Sequence, residues 1–287
     1  MLLTHNKPDQ VRRLVHRLNA LYGNPPIVCH HDFGKCDLDP AGFPANVHFV
    51  RPHVPTEWGR FSLVEATLAG IRQLAARADA PEWFTLLSGA DYPCAPAATV
   101  LADLETAAAD AFVQHHAVDP DDPFCRLQPA RLGRYLHHEF NLYYLNRRLR
   151  PSWRPIRLPR WLSRPFLPFA RRFRCYAGWQ WFTANRKATR AILDFHDTRP
   201  ELARHYRKQW CTDESYFHCI LGNDPTVRLV NDNKRYTDWM TGEPHPRTLG
   251  LADVPKVLGS GCHFARKFDA DRDPDALDAL DRALGLV

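Results

Sequence analysis

The first 115 residues alternate between short apolar runs and longer segments in which apolar positions recur every three or four residues. The short runs are typical of buried strands, and the longer period is typical of amphipathic helices. Strands that alternate with helices predict an α/β fold with a mainly parallel sheet flanked by helices. We predict strands at 2–4, 27–29, 47–50, 83–87 and 111–114, and helices at 9–22, 62–78 and 97–108.

Two details sharpen this pattern. Residues 83–87 form a nearly continuous apolar run, as a central parallel strand should, and Ser62 is a candidate N-cap for the helix that it begins. Ligands of parallel sheets bind beyond the carboxyl ends of the strands. Three polar clusters follow predicted strands directly, and this edge is therefore a predicted nucleotide or sugar site: His5-Asn6, His30-His31-Asp32 and Ser88-Gly-Ala-Asp91.

The middle of the chain is less regular. Between 118 and 174 proline is frequent and periodicity is weak, apart from a short helix predicted at 135–149, so we expect a long excursion or lid. Regular patterns then return, with a strand predicted at 178–183 and helices at 186–195, 201–209, 214–221 and 274–284.

Composition limits the class of protein. With 287 residues, 45% hydrophobic and 24% charged, the chain has the make-up of a folded domain with a sizeable core. No apolar stretch approaches the roughly 18–20 residues of a membrane span, and the N-terminus is too short in apolar residues for a signal peptide. We therefore expect a cytoplasmic protein whose eight scattered cysteines are free thiols. The cluster Cys29-His30-His31…Cys36 lacks a second ligand pair, which disfavours zinc.

The net charge of +6 is concentrated between Asn146 and Cys175, where ten arginines and two tryptophans occur without an acid. Such a segment is typical of a solvated connecting loop, and it could also hold an anionic acceptor, an acidic membrane or a nucleic acid. A non-enzymatic nucleic-acid or acidic-membrane binding protein is therefore the alternative function.

Four short segments of the last third carry the chemistry. They are Cys211-Thr-Asp-Glu214-Ser-Tyr-Phe, Arg235-Tyr-Thr-Asp-Trp239, His245-Pro-Arg247-Thr-Leu and Phe264-Ala-Arg266-Lys267-Phe-Asp269. A sugar transfer from a nucleotide donor needs a carboxylate that takes the acceptor proton and fixed cations that hold the departing diphosphate. The alternatives are ordinary ones, since a Glu at a helix start is common and most Lys and Arg lie on the surface.

A metal site is not indicated by these residues. Metal-dependent enzymes of this kind carry Asp-x-Asp after a central strand, whereas residues 83–87 are followed by Asp91 alone. Asp119-Pro-Asp121 lies in a turn, and Asp271-Arg-Asp273 precedes the last predicted helix as its cap. We expect no metal or other cofactor.

The order and the residues of the four segments resemble motifs of the Branch family of glycosyltransferases (family 14). This family includes core-2/I-branching N-acetylglucosaminyltransferases and peptide O-xylosyltransferases. The resemblance implies a GT-A-like fold and an inverting, metal-independent transfer. It implies that Glu214 is the catalytic base and that Arg247 and Lys267, with Arg266, hold the diphosphate.

Further positions match the same family. Asp32, in His-His-Asp, resembles a contact to the uracil side of the donor, and Trp58, in Trp-Gly-Arg-Phe-Ser, resembles a residue near the nucleotide. We group His5 with these two as nucleotide-binding. Core packing is the alternative for the tryptophans. As residues that contact the donor or acceptor sugar we predict Asp91, Trp181 and Trp239.

The resulting hypothesis is a single glycosyltransferase domain. Its predicted parts are a nucleotide-binding half at 1–116, a basic excursion at 117–175 and a catalytic and diphosphate-binding half at 176–287. The expected donor is a UDP-sugar, with N-acetylglucosamine favoured and xylose a close second, and the expected product is β-linked. The expected acceptor is a glycan or a lipid-linked or capsule-type polysaccharide precursor. Peripheral contact with the inner face of an acidic membrane is allowed, and no nucleic acid is expected as a partner.

Overall fold

The structure, a computed structural model, describes residues 1–119, 133–136, 139–140, 156–157, 160–169, 172–239 and 245–286. Most arginine side chains of the segment between Asn146 and Cys175 lie outside the described residues, and so does the larger part of the helix predicted at 135–149. The three-part division of the chain stays a prediction.

A four-stranded parallel sheet forms the centre of the fold. Its order is β3 (Val47–Phe49), β2 (Ile27–His31), β1 (Leu2–Thr4) and β5 (Leu87–Ser88). The predicted mixed α/β fold with a mainly parallel sheet is therefore confirmed, and it is consistent with a GT-A-like arrangement.

Two further sheets extend this centre. The first has the order β11 (Leu229–Val230), β7 (Ala111–Ala117), β10 (Tyr176–Asn185) and β4 (Trp83–Thr85), with β10 antiparallel to both of its neighbours. The second has the order β12 (Arg235–Thr237), β13 (Phe264–Arg266) and β6 (Asp91–Pro93). A separate antiparallel pair consists of β8 (Glu139–Phe140) and β9 (Ile156–Arg157).

Helices cover both faces of the sheets. In the described residues they are α1 (Pro8–Tyr22), α2 (Phe61–Ala75), α3 (Ala97–Glu105), α4 (Arg160–Ser163), α5 (Arg186–Thr198), α6 (Pro200–Tyr206), α7 (Tyr216–Asn223), α8 (Val254–Leu258) and α9 (Pro274–Ala283). None of these described helices has the length and apolar character that crossing a membrane requires.

Two apolar cores lie on opposite faces of the central sheet. Successive residues of a strand point to opposite faces, so Leu3 joins the core built on α2 while Leu2 joins the core built on α1 and α9. The last helix therefore packs against the first part of the chain, and this contact brings the residues around Lys267 close to β1.

The apolar run at 83–87 is not one central strand, as the sequence suggested. Its first part, β4, pairs antiparallel with β10, and its second part, β5, pairs parallel with β1. Between them, Leu86 donates its backbone N–H to Phe182 O while Leu87 donates to Met1 O. The segment is buried in both sheets. An apolar run in the sequence indicates that a segment is buried, but it does not indicate which strand it pairs with.

Three local predictions are also corrected. Helix α2 begins at Phe61, and Ser62 is not its N-cap, because its hydroxyl accepts a hydrogen bond from Glu57 N. Glu214 lies in the 3-10 turn Thr212–Glu214 that precedes α7, and not in the first turn of the helix. Residues 139–140 form a strand where a helix was predicted. The predicted cap of the last helix is confirmed, since Asp273 accepts from Ala276 N.

Candidate active site

A cleft of about 240 Å³ opens at the carboxyl edge of the parallel sheet. Thr4 and His5 reach it from the end of β1, His30 from β2 and Ser88 from β5. The opposite side comes from the last third of the chain. Of the ten residues predicted for the site, seven line this cleft: His5, Trp58, Trp181, Glu214, Trp239, Arg266 and Lys267.

The 3-10 turn places Glu214 in the cleft. Cys211, before the turn, adopts a left-handed backbone (φ 53°), and its N–H donates to Gly59 O while its carbonyl accepts from Tyr135 Oη at 2.6 Å. Non-glycine residues rarely adopt this conformation, so the contacts on both sides of Cys211 hold it in place. Glu214 is thereby fixed at the start of α7, next to Asp213, which also lines the cleft.

Trp58 forms one rim of the cleft on a loop that packs against the segment before Glu214. Its ring meets the Trp210 ring edge-on at 5.2 Å and the His245 ring at 5.9 Å. Gly59 has φ +71°, and a Cβ there would lie 2.9 Å from the Trp210 ring. The close approach of the two loops therefore requires glycine at this position. Trp58 is 55% exposed, so core packing does not account for it.

Arg266 and Lys267 supply positive charge at the cleft floor. In the described residues Lys267 makes no ion pair, and the guanidinium of Arg266 meets one acid, Asp91, with Nε 3.8 Å from Oδ2. Burial lowers the pKa of Arg266 to about 10, and burial together with the charge of Arg266 lowers the pKa of Lys267. Two cations held close together without matching acids form a site prepared for an anion.

Asp91 is buried beneath these cations and does not line the cleft. Its Oδ1 accepts from Arg235 Nη1 at 2.6 Å, and its Oδ2 accepts from the backbone N–H and the hydroxyl of Ser88. Arg235 also donates to Leu86 O at 3.0 Å. The pair ties the end of β5 to β12. Its predicted contact with a sugar stays untested.

The Asp91–Arg235 pair yields a prediction about stability. Both side chains are fully buried, and breaking such a pair on one side leaves an uncompensated charge that costs about 3–5 kcal/mol. We expect Asp91→Asn to lower the free energy of unfolding by about this amount in urea titrations. Asp79→Asn, which removes an exposed aspartate paired with Arg77, is the control and should cost less than about 1 kcal/mol. Equal losses in the two variants would contradict this assignment.

Arg247 occupies a different environment from the other predicted diphosphate ligands. Its guanidinium donates from Nε to Asp238 at 2.9 Å and from Nη1 to Asp253 at 2.8 Å, and it does not line the cleft. The hydrogen bonds that Arg247 donates to Asp253 and Asp238 raise its pKa. Both carboxylates accept hydrogen bonds from the guanidinium of Arg247, and Asp238 directly precedes Trp239 in the sequence. This arrangement does not test the predicted role of Arg247 in diphosphate binding, which stays a prediction.

Asp32 also lies beside the cleft without lining it. Burial raises its pKa, but hydrogen bonds from the Thr56 hydroxyl and backbone, at 2.6 and 2.7 Å, bring the pKa below its ordinary value. Thr56 does line the cleft, so Asp32 orients the loop that carries Trp58. Burial lowers the pKa of His5, and the charge of Lys35 lowers it further, so His5 is neutral at pH 7.

A bulge in β10 brings three side chains into the cleft. Gly178 pairs with His115 and Phe182 with Val113, so the residues between them have no partners in β7. Bulges of this kind redirect side chains beside active sites. Gly178 starts the bulge, and a Cβ there would overlap Gln114 O. The bulged residues Trp179, Gln180 and Trp181 all line the cleft.

Sequence reasoning missed Trp179. Its ring stacks on that of Trp239 with centroids 4.4 Å apart and planes 19° apart, while Trp181 lies under Arg266, whose Cζ is 4.2 Å from the ring centroid. The sequence did offer one sign of a bulge, a glycine followed by two tryptophans with one residue between them, but strand periodicity alone does not predict a bulge.

The described residues contain no group of three His, Cys, Asp or Glu that could share a metal ion.

Comparison with known proteins places this geometry in a family. The model of the "Core-2/I-Branching enzyme" family matches residues 40–259. The chain is 25% identical over 249 residues to beta-glucuronosyltransferase GlcAT14A of Arabidopsis thaliana, covering 83% of this chain and 51% of that protein. It is 27% identical over 265 residues to xylosyltransferase 1 of Rattus norvegicus, covering 83% of this chain and 29% of that protein.

The human xylosyltransferase 1 gives the same picture, with 27% identity over 263 residues, 83% of this chain and 24% of that protein. The chain thus spans about half the length, or less, of these curated relatives. The family match covers most of the residues that line the cleft, including Glu214, and three of the four C-terminal segments, whereas the segment with Arg266 and Lys267 lies beyond its end. The chain belongs to the Branch family of core-2/I-branching enzymes.

Proposed function

We propose that this protein is an inverting, metal-independent glycosyltransferase that moves a sugar from a UDP-sugar to a hydroxyl of a glycan acceptor. One observation carries the proposal: Glu214 shares a cleft with two cations, Arg266 and Lys267, and the one acid that Arg266 meets in the described residues, Asp91, is already paired with Arg235. A base and an anion site in one cleft are what this reaction needs.

In the proposed reaction the acceptor oxygen attacks the anomeric carbon of the donor from the side opposite the diphosphate. Glu214 takes the proton of the acceptor hydroxyl as the new C–O bond forms. The bond between the anomeric carbon and the β-phosphate oxygen breaks, and its electron pair leaves with UDP. An α-linked donor therefore gives a β-linked product.

Arg266 and Lys267 stabilise the leaving group in this proposal. The arginine fork binds two phosphate oxygens, and the lysine adds a point charge. A divalent cation would do the same work, but the acid that follows β5, Asp91, is already paired with Arg235. In this proposal His5 and Trp58 contact the nucleotide.

Calorimetric titration with UDP in buffer containing EDTA tests the metal-independent site. We expect binding with a dissociation constant in the micromolar range, and we expect added manganese to leave it unchanged. Binding that requires manganese would contradict the metal-independent mechanism. Binding under neither condition would contradict the nucleotide site itself and favour the alternative function of the arginine-rich segment.

The donor sugar follows from a screen on the same protein. We propose UDP-N-acetylglucosamine as the donor, and UDP-xylose is the second candidate because several similar proteins are named xylosyltransferases. UDP-glucuronic acid belongs in the screen because another relative is a beta-glucuronosyltransferase. The donor that supports release of UDP in the presence of acceptor glycans is the substrate.

A further inference from the structure

We propose that the start of α1 positions the diphosphate site, with Gln10 as the principal positioning residue and Lys7 as the second. The proposal rests on the proposed glycosyltransferase function and adds two residues that do not line the cleft. Gln10 is 5% exposed and lies far from Lys267 in the sequence, yet its side chain holds the backbone that carries Lys267.

The carboxamide of Gln10 makes three hydrogen bonds to the backbone of two segments that border the cleft. Its Nε2 donates to Gly89 O at 2.8 Å and to Phe268 O at 3.1 Å, and its Oε1 accepts from Ala270 N at 2.8 Å. Both N–H groups and the carbonyl oxygen of the amide are therefore used. Turning the amide over would set an oxygen against two carbonyl oxygens, so these contacts fix the orientation of the side chain.

The same contacts hold the residue that follows Lys267. Phe268 N donates to Ala90 O at 2.9 Å, and Phe268 O accepts from Gln10. The carbonyl of Lys267 itself accepts from Leu249 N at 2.8 Å. A buried polar group whose donors and acceptors are all used makes its surroundings rigid. The backbone from which the Lys267 side chain reaches the cleft is therefore held in one position.

Lys7 keeps an acid of this segment away from the diphosphate site. Asp269, two residues after Lys267, forms an ion pair with Lys7, which also donates to Asp271 Oδ2 at 3.0 Å. The hydrogen bond from Lys7 lowers the pKa of Asp269, so its carboxylate is charged at neutral pH. Without Lys7 this carboxylate would be the nearest acid in the sequence to compete for the ammonium group of Lys267.

The position of Lys267 decides how much a diphosphate gains from its charge. Charge-assisted hydrogen bonds from nitrogen to oxygen are about 2.7–2.9 Å long, so a displacement of the backbone by about 1 Å weakens such a contact strongly. Gln10 and Lys7 therefore act on the affinity for UDP through Lys267, and not through the nucleoside.

A double-mutant cycle tests the proposal, with calorimetric titration of UDP as the measurement. Gln10→Met keeps the length of the side chain and removes its three hydrogen bonds. We expect it to weaken UDP binding by about 5–20-fold in the wild-type background and by less than about twofold in the Lys267→Met background, because coupled residues are not additive. Gln73→Met is the control, since Gln73 lies on α2 outside the cleft, and it should leave UDP affinity unchanged in both backgrounds.

Uridine separates positioning of the diphosphate site from general damage to the fold. It carries no phosphate, so we expect wild type and Gln10→Met to bind uridine with the same dissociation constant in saturation-transfer NMR. Equal weakening for uridine and UDP would contradict a positioning role. The same conclusion would follow from equal weakening of UDP binding in the two backgrounds of the cycle.

Lys7→Met keeps the proposal testable if urea titration shows that Gln10→Met does not fold, because the Lys7 side chain is 30% exposed. We expect Lys7→Met to weaken UDP binding more than Lys256→Met, which changes the net charge equally, and to lose this excess in the Lys267→Met background. Equal losses in the two lysine variants would contradict the role of Lys7.

The proposed function and this inference fail in different ways. Absence of UDP binding by the wild-type protein would contradict the proposed function. Wild-type UDP binding that Gln10→Met leaves unchanged would contradict this inference alone.

Discussion

Glu214→Gln is expected to lower kcat for sugar transfer by about 10²–10⁴-fold while leaving UDP affinity unchanged. Glutamine keeps the shape and the hydrogen-bonding edge of the side chain but cannot accept the acceptor proton. The 3-10 turn Thr212–Glu214 is held by Cys211 and its contacts with Gly59 and Tyr135, which the substitution does not touch. Initial rates of UDP release with saturating donor and acceptor, and calorimetry with UDP, measure the two quantities.

Asp213→Asn is the matched comparison, because Asp213 is the neighbouring carboxylate in the cleft. Asp213 is 7% exposed, and we expect the loss of its carboxylate to reduce kcat less than the loss of Glu214. If Asp213→Asn abolished turnover while Glu214→Gln retained near-wild-type rates, the base would be Asp213. Retention of activity in both variants would remove the base-catalysed mechanism.

The parallel sheet could be predicted from the sequence, because strands that are buried on both faces appear as short apolar runs, each followed by an amphipathic helix. The sequence placed His5 and Ser88 at the ligand edge for the same reason, since the carboxyl ends of parallel strands share one edge. The split at Leu86 was not predictable, because both sheets demand the same apolar residues from that segment.

The candidate site divides in the same way. Motif order was enough to select Glu214, Arg266 and Lys267, which the fold brings to one cleft. Motif order could not show that the guanidinium of Arg247 forms ion pairs with Asp238 and Asp253. The partners of a side chain depend on the geometry of the loops around it and not on the residues next to it in the sequence.

A bulge has no periodic signature, and this explains why Trp179 was missed while Trp181 was found. Gly178 is the local sign of the bulge. A glycine in a strand can also mark a bend or a close approach of another backbone, and only the pairing of β10 with β7 shows which of these applies. Long-range pairing therefore decides which aromatic residues of β10 line the cleft.

Lys267→Met is expected to weaken UDP binding by about 10–100-fold and to lower kcat/KM by about 10²–10³-fold, because a charge-assisted contact to the leaving group is lost. Methionine preserves most of the apolar stem, so packing against the cleft wall changes little. Lys256→Met is the control, since Lys256 is an exposed lysine of α8 that does not line the cleft, and the net charge changes equally. Similar losses in both variants would indicate a general charge effect and contradict a diphosphate contact.

The pH dependence of UDP binding gives the sharpest form of this prediction. Burial, and then the charge of Arg266, lower the pKa of Lys267, so Lys267 loses its proton and its attraction for phosphate at a lower pH than an exposed lysine would. His5 has a lowered pKa and stays neutral over the range, and Arg266, whose pKa burial lowers to about 10, is present in both proteins that are compared. Lys267→Arg retains a charged side chain, because the pKa of arginine is intrinsically much higher. The ratio of the UDP dissociation constants of wild type and Lys267→Arg, in which any titration of UDP cancels, should therefore rise between about pH 7 and about pH 9.5. A ratio independent of pH would mean that the ammonium group of Lys267 does not contact the diphosphate.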